Sequence, residues 1–264
     1  MGRTAVGGHH AIALVAGFRA RYLDVVATNG PANPASANGR GAGTYAEAAQ
    51  RDPGRLRIAA CAGTPFPQPI AREQRAAFEA TRTLLASLGH DVEEVSMQYL
   101  AVIPQVVARY LRAIHDDVVE LPHPERLERR TRGMARLGSL IAPPIWAKAR
   151  EAEGAAVVRL NRVLANHDVL LTPALAQLPL PIGRYEGRGA LYTFNGVARF
   201  TPYTAAWNVT GQPAAAVPAG FTDAGVPLSI QLVGRPHDEA TLLSLSAQLE
   251  AARPWAERRP PIAA

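Results

Sequence analysis

Hydrophobic and polar positions first alternate and then recur with helical spacing from Arg55 onward, and this pattern predicts a strand, a helix and a second strand. The segment "RLRIAAC" alternates before it ends in apolar residues, as a buried strand does. The helix that follows has apolar residues on one face: Ile70, Ala77, Leu84 and Leu88. Gly89 is suited to the position just after the end of this helix, and the next segment, "DVEEVSM", is predicted to be the second strand. A strand, helix and strand in this order favour parallel pairing of the two strands.

Farther along the chain, the pattern predicts a helical region and then three more strands. Residues 99–166 have helical character, with breaks at the prolines of "ELPHPE" and "APP". Strands are predicted in "DVLLTPA", "PAAAVPAGF" and "PLSIQLVG", which begin at Asp168, Pro213 and Pro227. A last helix begins after Asp238, whose side chain is a good N-cap. The mixture of strands and helices predicts an α/β fold.

The first 50 residues have a different character from the rest of the chain. Residues 11–27 are mostly apolar and are predicted to be helical, whereas "NGPANPASANGRGAG", Asn29 to Gly43, cannot bury a face. The "GRGAG" within it has the glycines of a phosphate loop, but no predicted strand precedes it. We therefore predict a poorly ordered segment and linker over residues 1–50, and one folded unit over residues 51–264.

Composition indicates a globular protein, since 48% of the residues are hydrophobic and 19% are charged. The net charge of +6 comes almost entirely from arginines, because Lys148 is the only lysine. These arginines are interspersed with acidic residues and lack interleaved aromatics, so a solvated helix face is expected, with no nucleic-acid partner. No apolar run reaches the ~20 residues of a membrane span, and no basic segment precedes Ala11–Phe18. We expect a cytoplasmic chain with no membrane partner.

Several kinds of catalytic chemistry lack the residues that they need. Cys61 is the single cysteine, so neither an internal disulfide nor a cysteine-based metal site is possible. The sequence has no Gly-Lys pair for a phosphate loop and no His-Glu-x-x-His motif for zinc. No serine lies in a Gly-x-Ser-x-Gly turn, and Ser139 in "LGSLIAPP" comes closest. We therefore expect no metal site, no cofactor and no catalytic residue within this chain.

Three segments in the second half of the chain nevertheless carry a recognisable pattern. They are "DVLLTPALAQLPLPIG", "FTPYTAAWNVTGQPAAAVPAG" and "GVPLSIQLVGRPHDEATLLSLSAQLE". Their order and spacing resemble the C-terminal part of the amidase signature family. The matching positions include Asp168, Thr172, Pro173, Asn208, Thr210, Gly211, Pro213, Pro218, Gly220, Pro227, Gln231, Gly234 and Asp238. The resemblance extends from about Arg51 to Glu250 and implies a mixed β-sheet flanked by helices, as an incomplete amidase-type fold.

The resemblance implies hydrolysis of the C–N bond of a small amide by a Ser-Ser-Lys triad. This chain has no "GGSSGGS"-like segment, and Lys148 lies in the wrong region to replace the family's lysine. The initial "MGRTA" resembles the family's segment just after that signature, and either a reading-frame error or a diverged N-terminus would explain why the match then lapses until Thr44. We predict an amidase-family protein that is inactive alone. The alternatives are a non-catalytic binding module and one half of a split amidase, with an N-terminal amidase half as partner, or with self-association.

The segment from Phe200 to Gly220 allows two interpretations that are compatible with each other. In the functional one, four side chains line the acyl side of a substrate pocket: Phe200, Tyr203, Trp207 and Asn208. In the structural one, Asn208 closes an Asx turn and Gly211 takes a positive φ. Pro213 then opens a strand whose small residues, Ala214 to Ala216, pack in a sheet that is covered on both faces.

Overall fold

The computed structural model of the chain describes residues 20–25 and 44–255, and its core is one five-stranded mixed sheet. The strands are β1 (Arg57–Ala60), β2 (Asp91–Glu94), β3 (Val169–Pro173), β4 (Ala214–Phe221) and β5 (Pro227–Gly234). Their order across the sheet is β2-β1-β3-β5-β4. The α/β fold class expected from the sequence is thus confirmed.

Helices cover both faces of this sheet. Within residues 44–255, the first four are α1 (Tyr45–Ala48), α2 (Arg72–Ser87), α3 (Ile103–Val119) and α4 (Arg129–Ser139). They are followed by α5 (Pro143–Asn166), α6 (Ala190–Phe200), α7 (Ala205–Thr210) and α8 (Glu239–Ala252). Short 3₁₀ turns lie at Tyr99–Ala101 and Pro124–Arg126. Among the described helices, none is both long and apolar enough to cross a bilayer.

The predicted strand–helix–strand unit is present. Strands β1 and β2 pair in parallel and are connected by α2. Gly89 follows the end of α2 with a φ of +95°, a left-handed conformation that glycine adopts without strain. Strand β3 also pairs in parallel with β1, whereas β5 is antiparallel to both β3 and β4. The sheet is therefore mixed.

Alternate strand residues face two separate hydrophobic clusters, as a strand period of two requires. Ile58 and Val169 point to the cluster beneath α2 and α8, which also contains Phe78 and Leu245. Ala59 and Leu170 point to the opposite cluster, built from α5, α7 and the 3₁₀ turn that begins at Tyr99. Ile70, assigned from the sequence to the apolar face of α2, lies before that helix and packs in the second cluster.

The two edges of the described sheet differ in character. Strand β2 is short and acidic, with the sequence "DVEE", and such an edge resists pairing with other chains. Strand β4 forms the opposite edge of the sheet. Ala214, Ala215 and Ala216 are half-buried there, whereas the sequence pattern predicts a sheet that is covered on both faces at these residues. Pro218 is tolerated in β4 because an edge strand can lack a ladder hydrogen bond.

Order extends to the N-terminal side of Arg51. Helix α1 begins with a capping box, in which the Thr44 hydroxyl accepts from the Glu47 amide and the Glu47 carboxylate accepts from the Thr44 amide. Tyr45 is buried against Leu243 of α8. The predicted poor order therefore does not hold for residues 44–50, because their apolar side chains pack on α8. The predicted linker Asn29–Gly43 and most of the predicted helix over residues 11–27 lie outside the described residues.

Candidate functional site

Gln231 of β5 connects three parts of the fold from a buried position. Its Nε2 donates to the Thr172 hydroxyl on β3 at 3.3 Å and to the Tyr203 carbonyl at 3.1 Å. Because a buried amide without partners is costly, these bonds give Gln231 a structural reason to be where it is. The loop that carries Tyr203 is thereby fixed onto the sheet.

Asp168, just before β3, also connects separate parts of the fold. One carboxylate oxygen accepts from the Arg57 amide at 2.8 Å, and the other lies 2.8 Å from a guanidinium nitrogen of Arg235. The Asp168 amide in turn donates to the Arg57 carbonyl at 2.8 Å. This side chain therefore aligns the beginnings of β1 and β3. Its position in the family-like pattern follows from sheet assembly rather than from chemistry.

The segment after Phe200 folds as a helical turn. Helix α7 ends at Gly211, which takes φ +73° and donates its amide to the Trp207 carbonyl, so the predicted positive φ is confirmed. The predicted Asx turn at Asn208 is wrong, because Asn208 lies inside α7 with its side chain exposed. Phe200 is half-buried at the end of α6.

Two of the four proposed pocket residues are core residues. Tyr203 is 0% exposed and Trp207 is 2% exposed. The Tyr203 hydroxyl donates to the Ala62 carbonyl at 2.8 Å, and Trp207 makes an edge contact with Tyr99, with 6.4 Å between ring centroids. The hydroxyl of Tyr99 and the indole nitrogen of Trp207 are buried without a hydrogen-bond partner in the described part of the chain. These rings join the loops that follow β1 and β2 to α7.

An open groove of about 570 Å³ lies in front of this aromatic cluster. Its walls come from the loops after β1 and β2, together with one side chain from α5. The lining residues are Thr64, Pro65, Met97, Gln98, Tyr99, Leu100 and Arg159. Ligands in α/β proteins commonly bind beyond the carboxyl ends of parallel strands, and this groove has that location. The predicted unit of β1, α2 and β2 could have directed attention to these loops.

None of the four residues predicted from the sequence lines this groove. Trp207 and Tyr203 lie in the same hydrophobic cluster as the lining residue Tyr99, and Trp207 contacts its ring. A pocket role for Phe200, Tyr203, Trp207 and Asn208 stays a prediction, and the burial of two of them favours the packing interpretation. The groove residues carry no motif of their own, and only the predicted parallel pairing of β1 and β2 points to the sheet edge where they lie.

Comparison with known proteins identifies the family. The sequence profile of the family described as Amidase matches residues 18–243. This chain belongs to the amidase family. The Mycobacterium tuberculosis protein named "Putative amidase AmiB2" is 46% identical over 223 residues, which cover 83% of this chain and 48% of that protein. The 6-aminohexanoate-cyclic-dimer hydrolase of Pseudomonas sp. (strain NK87) is 28% identical, over 91% of this chain and 52% of the hydrolase.

Solved amidase-family structures share the fold. A structure of 6-aminohexanoate cyclic dimer hydrolase superimposes with a TM-score of 0.76 at 25% identity, and covers 84% of this chain and 50% of that one. A bacterial aryl acylamidase of the amidase signature family superimposes with a TM-score of 0.62 over the same shares. This chain spans about half the length of the relatives that it matches.

Amidase chemistry requires a nucleophile that a neighbouring base activates. In residues 44–255, no hydrogen bond joins a serine hydroxyl to a lysine or histidine, and Lys148 is exposed on α5. The thiol of Cys61 is buried at the end of β1, and burial raises its pKa. A thiol that holds its proton is a poor nucleophile. The same residues contain no group of three or more His, Cys, Asp or Glu side chains that could hold a metal ion.

Proposed function

We propose that this chain is the C-terminal half of an amidase that hydrolyses the C–N bond of a small amide, and that it contributes substrate-binding surface rather than the nucleophile. Family membership supports amide chemistry. The match to only about half of each relative supports a role as one part of a larger catalytic unit. The pattern that resembles the family's C-terminal part supports the assignment to that half.

The observation that carries the proposal is the groove beyond β1 and β2. It has a size suited to a small ligand, since such pockets measure ~300–1,000 Å³. It presents polar groups from Thr64, Gln98 and Arg159 beside the apolar side chains of Met97 and Leu100. None of these lining residues can act as an activated nucleophile. The groove can therefore hold and orient an amide but cannot cleave it.

In a complete amidase, a nucleophile from the other half would attack the carbonyl carbon of an amide held in the groove, and the amine would leave. Water would then release the acid. This chain would orient the substrate and exclude bulk water from one side of it. Loss of a catalytic triad costs ~10⁴–10⁶ in rate, so we expect negligible turnover by this chain alone.

A complementation assay tests the proposal. Release of amine from simple aryl and alkyl amides is measured for this chain alone, and again after addition of the part of AmiB2 that the chain does not match. We expect turnover at the buffer blank for the chain alone and turnover above it after complementation. The added part alone serves as the control. Turnover by the isolated chain that a serine-reactive phosphonate abolishes would show that the nucleophile lies within these 264 residues.

A free-standing binding module is the second candidate, and the groove without a nucleophile is the observation that favours it. The coding sequence directly upstream separates the candidates. An adjacent frame that encodes a Gly/Ser-rich signature indicates a truncated or frameshifted amidase gene. A separate gene for that half indicates a split enzyme. The absence of both supports a module that binds without catalysis.

A further inference from the structure

Arg159 is the one cation in the lining of the groove, and it projects from α5. It is exposed, and no carboxylate among the described residues pairs with it. The neighbours on its own helix face are Ala155, Ala156, Arg162 and Val163, so no acid lies one turn away. Its positive charge is therefore not neutralised locally.

Three acidic side chains on β2 and α5 have other partners. On β2, Glu93 interacts with His167 at 3.1 Å, and Glu94 lies 3.5 Å from Arg82. On α5 itself, the Glu153 carboxylate accepts from Arg109 at 2.6 Å. These acids are committed to their own contacts. No acidic residue lines the groove, so Arg159 gives its lining a net positive charge.

The rest of the lining completes an amphipathic site. Met97, Leu100 and Pro65 provide apolar surface for a short carbon chain. The side-chain amide of Gln98 makes no hydrogen bond to any described residue, so it can donate to and accept from a ligand amide. A guanidinium recognises a carboxylate by paired N–H donors. The three features suit a molecule with an amide at one end and a carboxylate at the other.

We propose that the groove binds small amides that carry a carboxylate, and that Arg159 selects them by pairing with that carboxylate. This inference rests on the proposed function, since it names the class of substrate that the amidase would accept. A carboxylate paired with a partly exposed arginine strengthens binding by about fivefold over its neutral isostere.

Calorimetric titration of the purified full chain tests the proposal with two isosteric probes. Glutaramate has a carboxylate where glutaramide has a second amide, and the two are otherwise alike. We expect glutaramate to bind about fivefold more tightly than glutaramide. Arg159→Gln should remove this preference, so that the two probes bind with similar affinities. Arg159→Lys should retain part of it, because an ammonium keeps the charge but loses the paired donors.

Arg162→Gln is the matched control. Arg162 is an exposed arginine one turn farther along α5 that does not line the groove, so its removal lowers the net charge equally. We expect it to leave the glutaramate preference intact. Equal binding of both probes by the unaltered chain would overturn the proposal. So would binding of neither, or loss of the preference in both arginine variants. Circular dichroism of each variant checks that it is folded.

The two proposals fail in separable ways. Titration reports on the groove in the isolated chain, whereas complementation reports on catalysis. Carboxylate-selective binding without restored turnover would support the proposed role of Arg159 and contradict the proposal that this chain is half of an amidase. Restored turnover with equal rates on neutral and carboxylate-bearing amides would contradict the proposed role of Arg159 and support the proposal that this chain is half of an amidase.

Discussion

Two buried tyrosine hydroxyls in this protein have opposite hydrogen-bonding status, and that contrast predicts opposite effects on stability. Tyr203 donates to the Ala62 carbonyl at 2.8 Å. The hydroxyl of Tyr99 is buried with no partner among the described residues. Both rings lie in the same hydrophobic cluster and are at most 3% exposed. Phenylalanine replaces either ring with almost no change in shape, so each substitution isolates one hydroxyl.

The expected magnitudes follow from these partners. Tyr203→Phe removes a hydrogen bond with a net value of ~0.5–1.5 kcal/mol and leaves the Ala62 carbonyl short of a donor, so we expect a loss of about 1–2 kcal/mol in the free energy of unfolding. Tyr99→Phe removes a hydroxyl that was desolvated without compensation. We expect it to be neutral or to stabilise the protein by up to ~1 kcal/mol.

Urea unfolding at pH 7, followed by circular dichroism, measures both variants against the unaltered chain. The difference between the two variants should be about 1–3 kcal/mol, with Tyr99→Phe the more stable. Equal losses in the two variants would refute the reasoning, because they would show that the Tyr99 hydroxyl has a partner of comparable strength. A Tyr203→Phe variant without any loss would show that its bond to Ala62 contributes nothing net.

Two further predictions concern the same region. Burial raises the pKa of both Tyr99 and Tyr203 well above the usual value, so the folded state keeps protons that the unfolded state releases near pH ~10. The free energy of unfolding should therefore be highest below pH ~10 and should fall above that pH by about 1.4 kcal/mol per pH unit for each tyrosine. Urea melts at pH 8 and pH 10.5 measure the change. Equal free energies of unfolding at the two pH values would contradict it. Trp207→Ala should cost ~3–5 kcal/mol, because the ring is 2% exposed. Gly211→Ala should cost only ~1–2 kcal/mol, since its added Cβ meets no atom within 4 Å and the strain lies in the backbone. Paired melts in which Trp207→Ala loses no more than Gly211→Ala would contradict the burial of Trp207 in the core.

Local features of the chain were readable without the structure because their causes lie within a few residues. Gly89 ends α2 and Gly211 ends α7, each with a positive φ that a side chain would resist. Asp238 caps α8 by accepting from the Thr241 amide three residues later. The strand periods around Ile58 and Leu170 likewise reflect alternation along one short segment. Neighbouring residues were sufficient for these predictions, and for recognition of the family-like pattern.

Features that join distant segments were decided only by the tertiary structure. The Tyr203 hydroxyl bonds to a carbonyl 141 positions away, and Asp168 bonds to an amide 111 positions away. No local pattern distinguishes an aromatic side chain that will be buried by such contacts from one that will line a pocket. For this reason the sequence around Trp207 is compatible with both interpretations, and the structure shows that this ring is buried against Tyr99.

The edge position of β4 and the groove beside Arg159 both result from contacts between segments that are distant in sequence. Sequence alone determined that this chain forms an α/β fold with its strands and most of its helices in their correct order, because periodicity and caps are encoded locally. The amidase type of that fold came from the resemblance of its motifs to the family. Pairing order placed β4 at the edge, and it brought two loops and α5 together around a charged groove. Those outcomes depend on contacts between segments that are about 30 to 95 residues apart in sequence, and such contacts exist only once the chain has folded.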